Sequence, residues 1–190
     1  MKHFKQNRLV VTNTKRIMKT KWKVNSSQSD VLIRMRHSII AYLDGNLNNF
    51  QGHADFKNNE IQDATIAFSL NVKNRESKLE QFSNYLKLND FFDVNQYPTI
   101  SFKSTSFQKI NKNINFLKGD LTIKNITKTV ELDVELIETD YLDGEKKVSF
   151  ELTADINRKD FGLASNSFNT NNGLTMGQDI KLVANVEFSI

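Results

Sequence analysis

Val148-Ser149-Phe150-Glu151-Leu152-Thr153-Ala154-Asp155-Ile156 decides the fold. Every second residue is apolar, and the residues between are polar or acidic. Successive side chains of an extended strand point to opposite faces, so this run makes a strand with one dry and one wet face. Strands buried on both faces, as in parallel sheets, read instead as continuous apolar runs, so the alternation indicates an antiparallel sheet. The run Val130–Ile137 repeats the pattern, with Val130, Leu132, Val134 and Leu136 opposite Glu131, Asp133 and Glu135. So does Ile180–Ile190, where Ile180, Leu182, Ala184, Val186, Phe188 and Ile190 share a face. Asp143-Gly144, between the first two runs, is a hairpin turn signal.

Working outward, weaker alternation covers Val31–Arg36, Ile61–Val72, Thr99–Phe107 and Ile114–Lys124. A sheet of about eight strands with one apolar face must stack on another sheet or close on itself, and closure removes the exposed edges. The expectation is an all-β antiparallel fold of about eight or nine strands, stacked as two sheets or closed as a barrel. One segment departs from it. Ser77–Leu88 places Leu79, Phe82 and Leu86 at helical spacing, behind Ser77 with Glu80 three residues on, a capping-box start. It predicts one short inserted helix over about 77–88. Residues 163–178 are rich in Asn, Ser, Thr and Gly and predict a long loop before the last strand. Pro98, the one proline, stands just before a strand, where its missing N–H is tolerated.

The 190 residues suit one domain. Hydrophobic content is 38% and mean hydropathy −0.49. No apolar run approaches the roughly 20 residues that cross a bilayer as a helix. The absence of cysteine excludes disulfides, thiolate metal sites and cysteine nucleophiles. Residues 1–23 carry eight Lys/Arg and no Asp/Glu, so the net charge of +4 sits at the N-terminus and the remainder is slightly acidic. We therefore expect a basic arm over residues 1–19 ahead of a barrel domain over 20–190, and no nucleic-acid-binding face on the barrel. Leu9-Val10-Val11 is the only apolar run in the arm. It is too short for a secretory signal, so a cytoplasmic location is expected in preference to a periplasmic one.

The chain offers little catalytic chemistry. His3, His37 and His53 show no metal-ligand spacing. No nucleophile elbow, phosphate loop or dinucleotide fingerprint occurs. The carboxylate pairs Asp90/Asp93 and Asp155/Asp160 read as turn or strand-face residues. No catalytic residue, metal or obligatory cofactor is expected.

Four stretches carry a resemblance. They are Leu86-Lys87-Leu88-Asn89-Asp90-Phe91-Phe92-Asp93 with Tyr97-Pro98-Thr99-Ile100-Ser101-Phe102-Lys103-Ser104; Gly119-Asp120-Leu121-Thr122-Ile123-Lys124 with Thr127-Lys128-Thr129-Val130; Ile156-Asn157-Arg158-Lys159-Asp160-Phe161-Gly162; and the opening Trp22-Lys23-Val24 with Arg36-His37. Their order and content resemble the YceI-like family over residues 20–190. The resemblance implies an all-β fold, an extended antiparallel eight-stranded β-barrel, lipocalin-like, whose interior takes a polyisoprenoid chain, such as a polyprenyl or quinone lipid, for binding, storage or transport without catalysis. The chain departs from the family pattern at Gln28 and Tyr85, where the family has His, at Phe82, where it has Arg, and at Asn125, where it has Gly.

On that reading the tunnel wall is Phe68, Leu70, Phe92, Ile100, Phe102, Leu121, Ile123, Leu132, Val134, Phe150, Leu152, Phe161, Leu182 and Val186. Arg158 is the first candidate cation for a polar head, followed by Lys87 and His37. Equally, Arg158 reads as an ion-pair partner of Asp160. The expected partner is an isoprenoid lipid or quinone, with no nucleic acid, no stable membrane insertion and pairing into a homodimer left open. An inward apolar face is the same for a lined tunnel and a packed core, so a ligand-free barrel filled by its 14 Phe residues stands as the alternative.

Overall fold

The computed structural model describes residues 19–35, 38–45, 48–57, 60–73, 91–142, 144–163 and 178–189. Ten strands follow one another: β1 (Lys19–Val24), β2 (Asp30–Met35), β3 (Ser38–Asp44), β4 (Gln51–Lys57), β5 (Glu60–Asn71), β6 (Thr99–Lys109), β7 (Ile114–Ile123), β8 (Ile126–Leu142), β9 (Glu145–Asn157) and β10 (Asp179–Ser189). All pairings are antiparallel. The order β1-β4-β5-β6-β7-β8-β9-β10 returns to β1 through Lys23↔Ser189 and Val24↔Phe188.

The barrel has eight staves although the described residues form ten strands. β2 pairs with β10 from Arg34↔Lys181 to Asp30↔Asn185, and β1 continues along the same edge at Phe188 and Ser189. β3 pairs with β2 and β4 with β1. Thus β1 and β2 form one kinked stave, and β3 and β4 the next. Within this meander each stave lies beside its sequence neighbours, and the expected eight-stranded antiparallel barrel is what the chain forms. The predicted helix at 77–88 lies outside the described residues, as does most of the predicted loop at 163–178.

The first kink is a 3-10 turn, Ser26–Gln28, capped by the Asn25 side chain, which accepts from the Ser27 amide at 3.2 Å. It falls where β10 passes from one strand to the other. There the Asn25 amide donates to the Glu187 carbonyl at 2.8 Å, and the Glu187 amide donates to the Ser29 hydroxyl at 3.1 Å. Side-chain and turn groups thus replace the missing ladder bonds, as buried backbone requires. The second kink answers the first: the Gly45 amide donates to the Ser29 carbonyl at 2.9 Å and the Phe50 amide to the Gly45 carbonyl at 2.7 Å.

Two ends can be told apart. The upper end carries the β7–β8 hairpin and the segment after β9. Lys124 and Asn125 form that hairpin with φ of 52° and 60°, the paired left-handed geometry of a tight two-residue turn. Asparagine tolerates this region better than most side chains, which accommodates the departure from glycine at Asn125. The lower end carries the β6–β7 and β8–β9 hairpins, the latter between Leu142 and Glu145, with Gly144 at φ +84°. Trp22 and Phe56 pack there with ring centroids 4.9 Å apart, and the Lys146 ammonium sits 5.3 Å from the Trp22 ring.

Candidate functional site

Among the described residues the inward face is mostly apolar, with Ser104 on β6 and Asn115 on β7 as buried polar exceptions, and the interior is not uniform. In the upper half it holds a cavity of about 90 Å³. Its wall comes from β2, β5, β6, β7, β8, β9 and β10, with Phe50, Phe92 and Leu163 from the connections. Ser101 is the single polar residue among the described residues that line it. On β9 and β10 the wall runs from Leu152 to Ile156 and from Ile180 to Ala184, about 13 Å along a strand at ~3.3 Å per residue.

On five staves the lining then stops partway along the strand. β5 stops at Phe68, β6 at Phe102, β8 at Leu132, β9 at Leu152 and β10 at Ala184. Further toward the lower end the inward residues Ile66, Phe107, Leu117, Val134 and Val186 are buried and do not line this cavity. The boundary is aromatic. Phe68 lies 5.6 Å from Phe50, 6.3 Å from Phe102 and 5.9 Å from Phe188, and Phe188 lies 6.1 Å from Phe150, all between ring centroids. β5 and β10 are not neighbours in the sheet, so the Phe68–Phe188 contact crosses the barrel interior. Five rings therefore form a floor under the cavity.

Glycines seat two of these rings. Gly52 is the cross-strand partner of Phe68, and a Cβ on it would come within 2.6 Å of the Phe68 ring and 2.8 Å of the Ala67 carbonyl oxygen. Gly119 pairs with Ser104, and a Cβ on it would come within 2.4 Å of the Phe102 ring and 2.5 Å of the Lys103 carbonyl oxygen. Glycine inside a strand weakens it unless something approaches closely; here an aromatic ring lies over the bare backbone.

Ten of the fourteen expected wall residues surround the cavity: Phe68, Leu70, Phe92, Ile100, Phe102, Leu121, Ile123, Leu132, Leu152 and Leu182. The other four do not line it. Phe150 belongs to the aromatic floor, Val134 and Val186 are buried below it, and Phe161 is buried in the upper-end turn, 1% exposed. Sequence reasoning missed Val31, Ile33, Phe50, Ser101, Val130, Ala154, Ile156, Leu163, Ile180 and Ala184. The small inward residues Ala154 and Ala184, set among larger ones on two adjacent strands, were the available signal that space opens there.

Arg158 opens a 3-10 turn, Arg158–Phe161, capped by Asn157 and closed by Gly162 at φ +61°. Its amide donates to the Gln178 carbonyl at 2.9 Å, and its carbonyl accepts from the Leu163 amide at 2.9 Å. Its guanidinium donates to the Leu163 carbonyl at 2.8 Å. Leu163, fully buried, lines the cavity, so Arg158 fixes a piece of its wall. Lys124 ties the facing hairpin to the same turn through the Gly162 carbonyl at 3.3 Å. Hydrogen bonds to charged groups contribute about 1.5–3 kcal/mol. Arg158→Ala should therefore lower stability by about 2 kcal/mol, read as a lower urea midpoint; an unchanged midpoint would mean that solvent replaces the contact.

Lys87 and His37 lie outside the described residues, as do Phe82 and Tyr85. Gln28 is exposed on the first kink. His53 lies 3.6 Å from Asp55 on β4. Among the described residues no cluster of His, Asp or Glu has the arrangement of a metal site, and no helix is long and apolar enough to cross a membrane.

The chain is 30% identical over 180 residues to the UPF0312 protein of Staphylococcus aureus strain MW2, covering 90% of this chain and 98% of that one. Its fold is similar to that of Burkholderia cenocepacia BcnA, with a TM-score of 0.65 at 17% identity over 86% of this chain and 98% of that one. It is also similar in fold to a polyisoprenoid binding domain from Saccharophagus degradans implicated in plant cell wall breakdown, with a TM-score of 0.60 at 6% identity over 88% and 97% of the two chains. The family model of the YceI-like domain matches residues 22–188, from Trp22 in the first kinked stave to Phe188 in the aromatic floor, and the chain belongs to that family.

Proposed function

We propose that this protein binds the apolar end of an isoprenoid-type lipid, a polyprenyl or quinone chain, in the upper half of its barrel, for storage or transport and without catalysis. The cavity carries this reading: a wall of hydrocarbon side chains suits a ligand without polar groups along its length. Apolar cavities of about 150 Å³ stay dry and accept benzene, and 90 Å³ is of that order. Each methylene moved from water into such a space contributes about 0.8 kcal/mol, so the affinity comes from the tail. Among the described residues the wall presents no acidic or basic side chain, which favours binding over chemistry. The polyisoprenoid binding domain of similar fold supports the same ligand class.

Protein purified from its own host and extracted with organic solvent should yield a stoichiometric prenyl lipid or quinone by mass spectrometry. An empty extract, together with no thermal shift on adding prenyl alcohols, would sink the carrier and leave the second reading, a ligand-free barrel. The packed lower half is the observation that favours that alternative.

A further inference from the structure

We infer that the aromatic floor is a chain-length ruler: Phe68, with Phe102 and Phe188, ends the lipid site at the barrel's waist, so affinity rises with chain length only until the tail meets these rings. The inference rests on the proposed lipid site and adds what limits it.

Three observations carry it. First, Phe68 reaches across the interior to Phe188 on a strand that is not its neighbour, so a chain entering from the upper half finds no continuous passage. Second, the floor is built in. Gly52 and Gly119 leave room for the Phe68 and Phe102 rings against bare backbone, and the buried Phe107, Leu117 and Val186 fill the space below. A ring seated between a backbone and a packed core cannot swing aside without displacing that core. Third, on five staves the cavity lining stops partway along the strand, and Ile66, Phe107, Val134 and Val186 beyond it are buried.

Chain carbons that fit above the floor each raise affinity about fourfold, the equivalent of ~0.8 kcal/mol per methylene. Carbons beyond that length stay in water and contribute nothing. Affinity should therefore climb and then level off along a homologous series, without any contact to the head group.

The experiment is displacement of a fluorescent apolar probe, N-phenyl-1-naphthylamine, by geraniol, farnesol and geranylgeraniol. The wild-type protein should stop gaining affinity at one member of the series. Phe68→Ala, and the milder Phe68→Leu, should move that plateau to a longer alcohol. Phe107→Leu removes a similar volume below the floor and should leave the plateau in place. An unbroken rise through geranylgeraniol in the wild type, or the same plateau in all four proteins, would overturn the ruler while leaving the lipid site standing. No displacement by any alcohol, from a wild type that melts cooperatively, would overturn the lipid site and the ruler with it.

Discussion

Gly45→Ala should destabilise the barrel by about 3 kcal/mol, at the upper end of what forced overpacking costs. Gly45 is where the two kinked staves meet. Its amide is bonded to the Ser29 carbonyl at 2.9 Å, and an added Cβ would overlap the backbone carbonyl oxygens of both Ser26 and Ser29. A flexible side chain could move away; two backbone carbonyls held by the Asn25–Glu187 and Ser29–Glu187 bonds cannot. In a domain of this size each kcal/mol lowers Tm by roughly 2–4 °C, so a thermal melt should show a drop on the order of 10 °C. Gly144→Ala supplies the comparison. Gly144 has φ +84° and open space around its missing Cβ, so that variant reports conformational strain alone, about 1 kcal/mol. Equal losses for the two variants would refute the crowding at the kink.

The strands were legible because β8, β9 and β10 bury alternate residues, and that pattern is written directly in the chain. Val148, Leu152, Ala154 and Ile156 are buried while Asp155 is exposed, and the Asp143-Gly144 signal falls at the hairpin. The kinks were not legible. Asn25–Ser29 and Gly45–Phe50 look like ordinary connections, and only the shared edge of β10 shows that β1 and β2 are one stave. The boundary between hollow and filled was equally hidden. Leu132 and Val134 lie two residues apart on the same face of β8; the first lines the cavity and the second does not. Both are medium-sized, apolar and inward, and periodicity cannot distinguish them. The distinction depends on which side chains arrive from across the barrel, such as Phe188 reaching Phe68, and that is a property of closure. The motif around Arg158 was visible for a similar reason in reverse. Its chemistry is local, a capped turn ending in a left-handed glycine, so a short stretch of sequence contains it. What Arg158 holds, the carbonyl of Leu163 at the cavity wall, is not in the motif.

Ala154→Leu should abolish most lipid binding while leaving the protein folded, or making it more stable. Ala154 is 4% exposed, lines the cavity from β9 and pairs across the sheet with Leu182 on β10. The larger side chain would project into the hollow rather than into packed neighbours. Its three added carbons exclude about as many carbons of ligand, and at ~0.8 kcal/mol per methylene affinity should fall about fiftyfold. The same carbons gain contacts that the empty cavity denied its lining, and cavity-filling substitutions commonly add about 0.5–2 kcal/mol. The two signs are what make the variant informative. A substitution that merely damages the fold lowers both stability and affinity. A substitution at a site that is only core lowers stability by overpacking and leaves nothing to bind. Only a hollow that a ligand uses predicts weaker binding and a higher melting temperature in one protein. Probe displacement by farnesol and a thermal melt on the same sample separate these cases. A variant that binds farnesol as well as the wild type would place the lipid elsewhere, and one that melts lower would show the space around Ala154 to be already full.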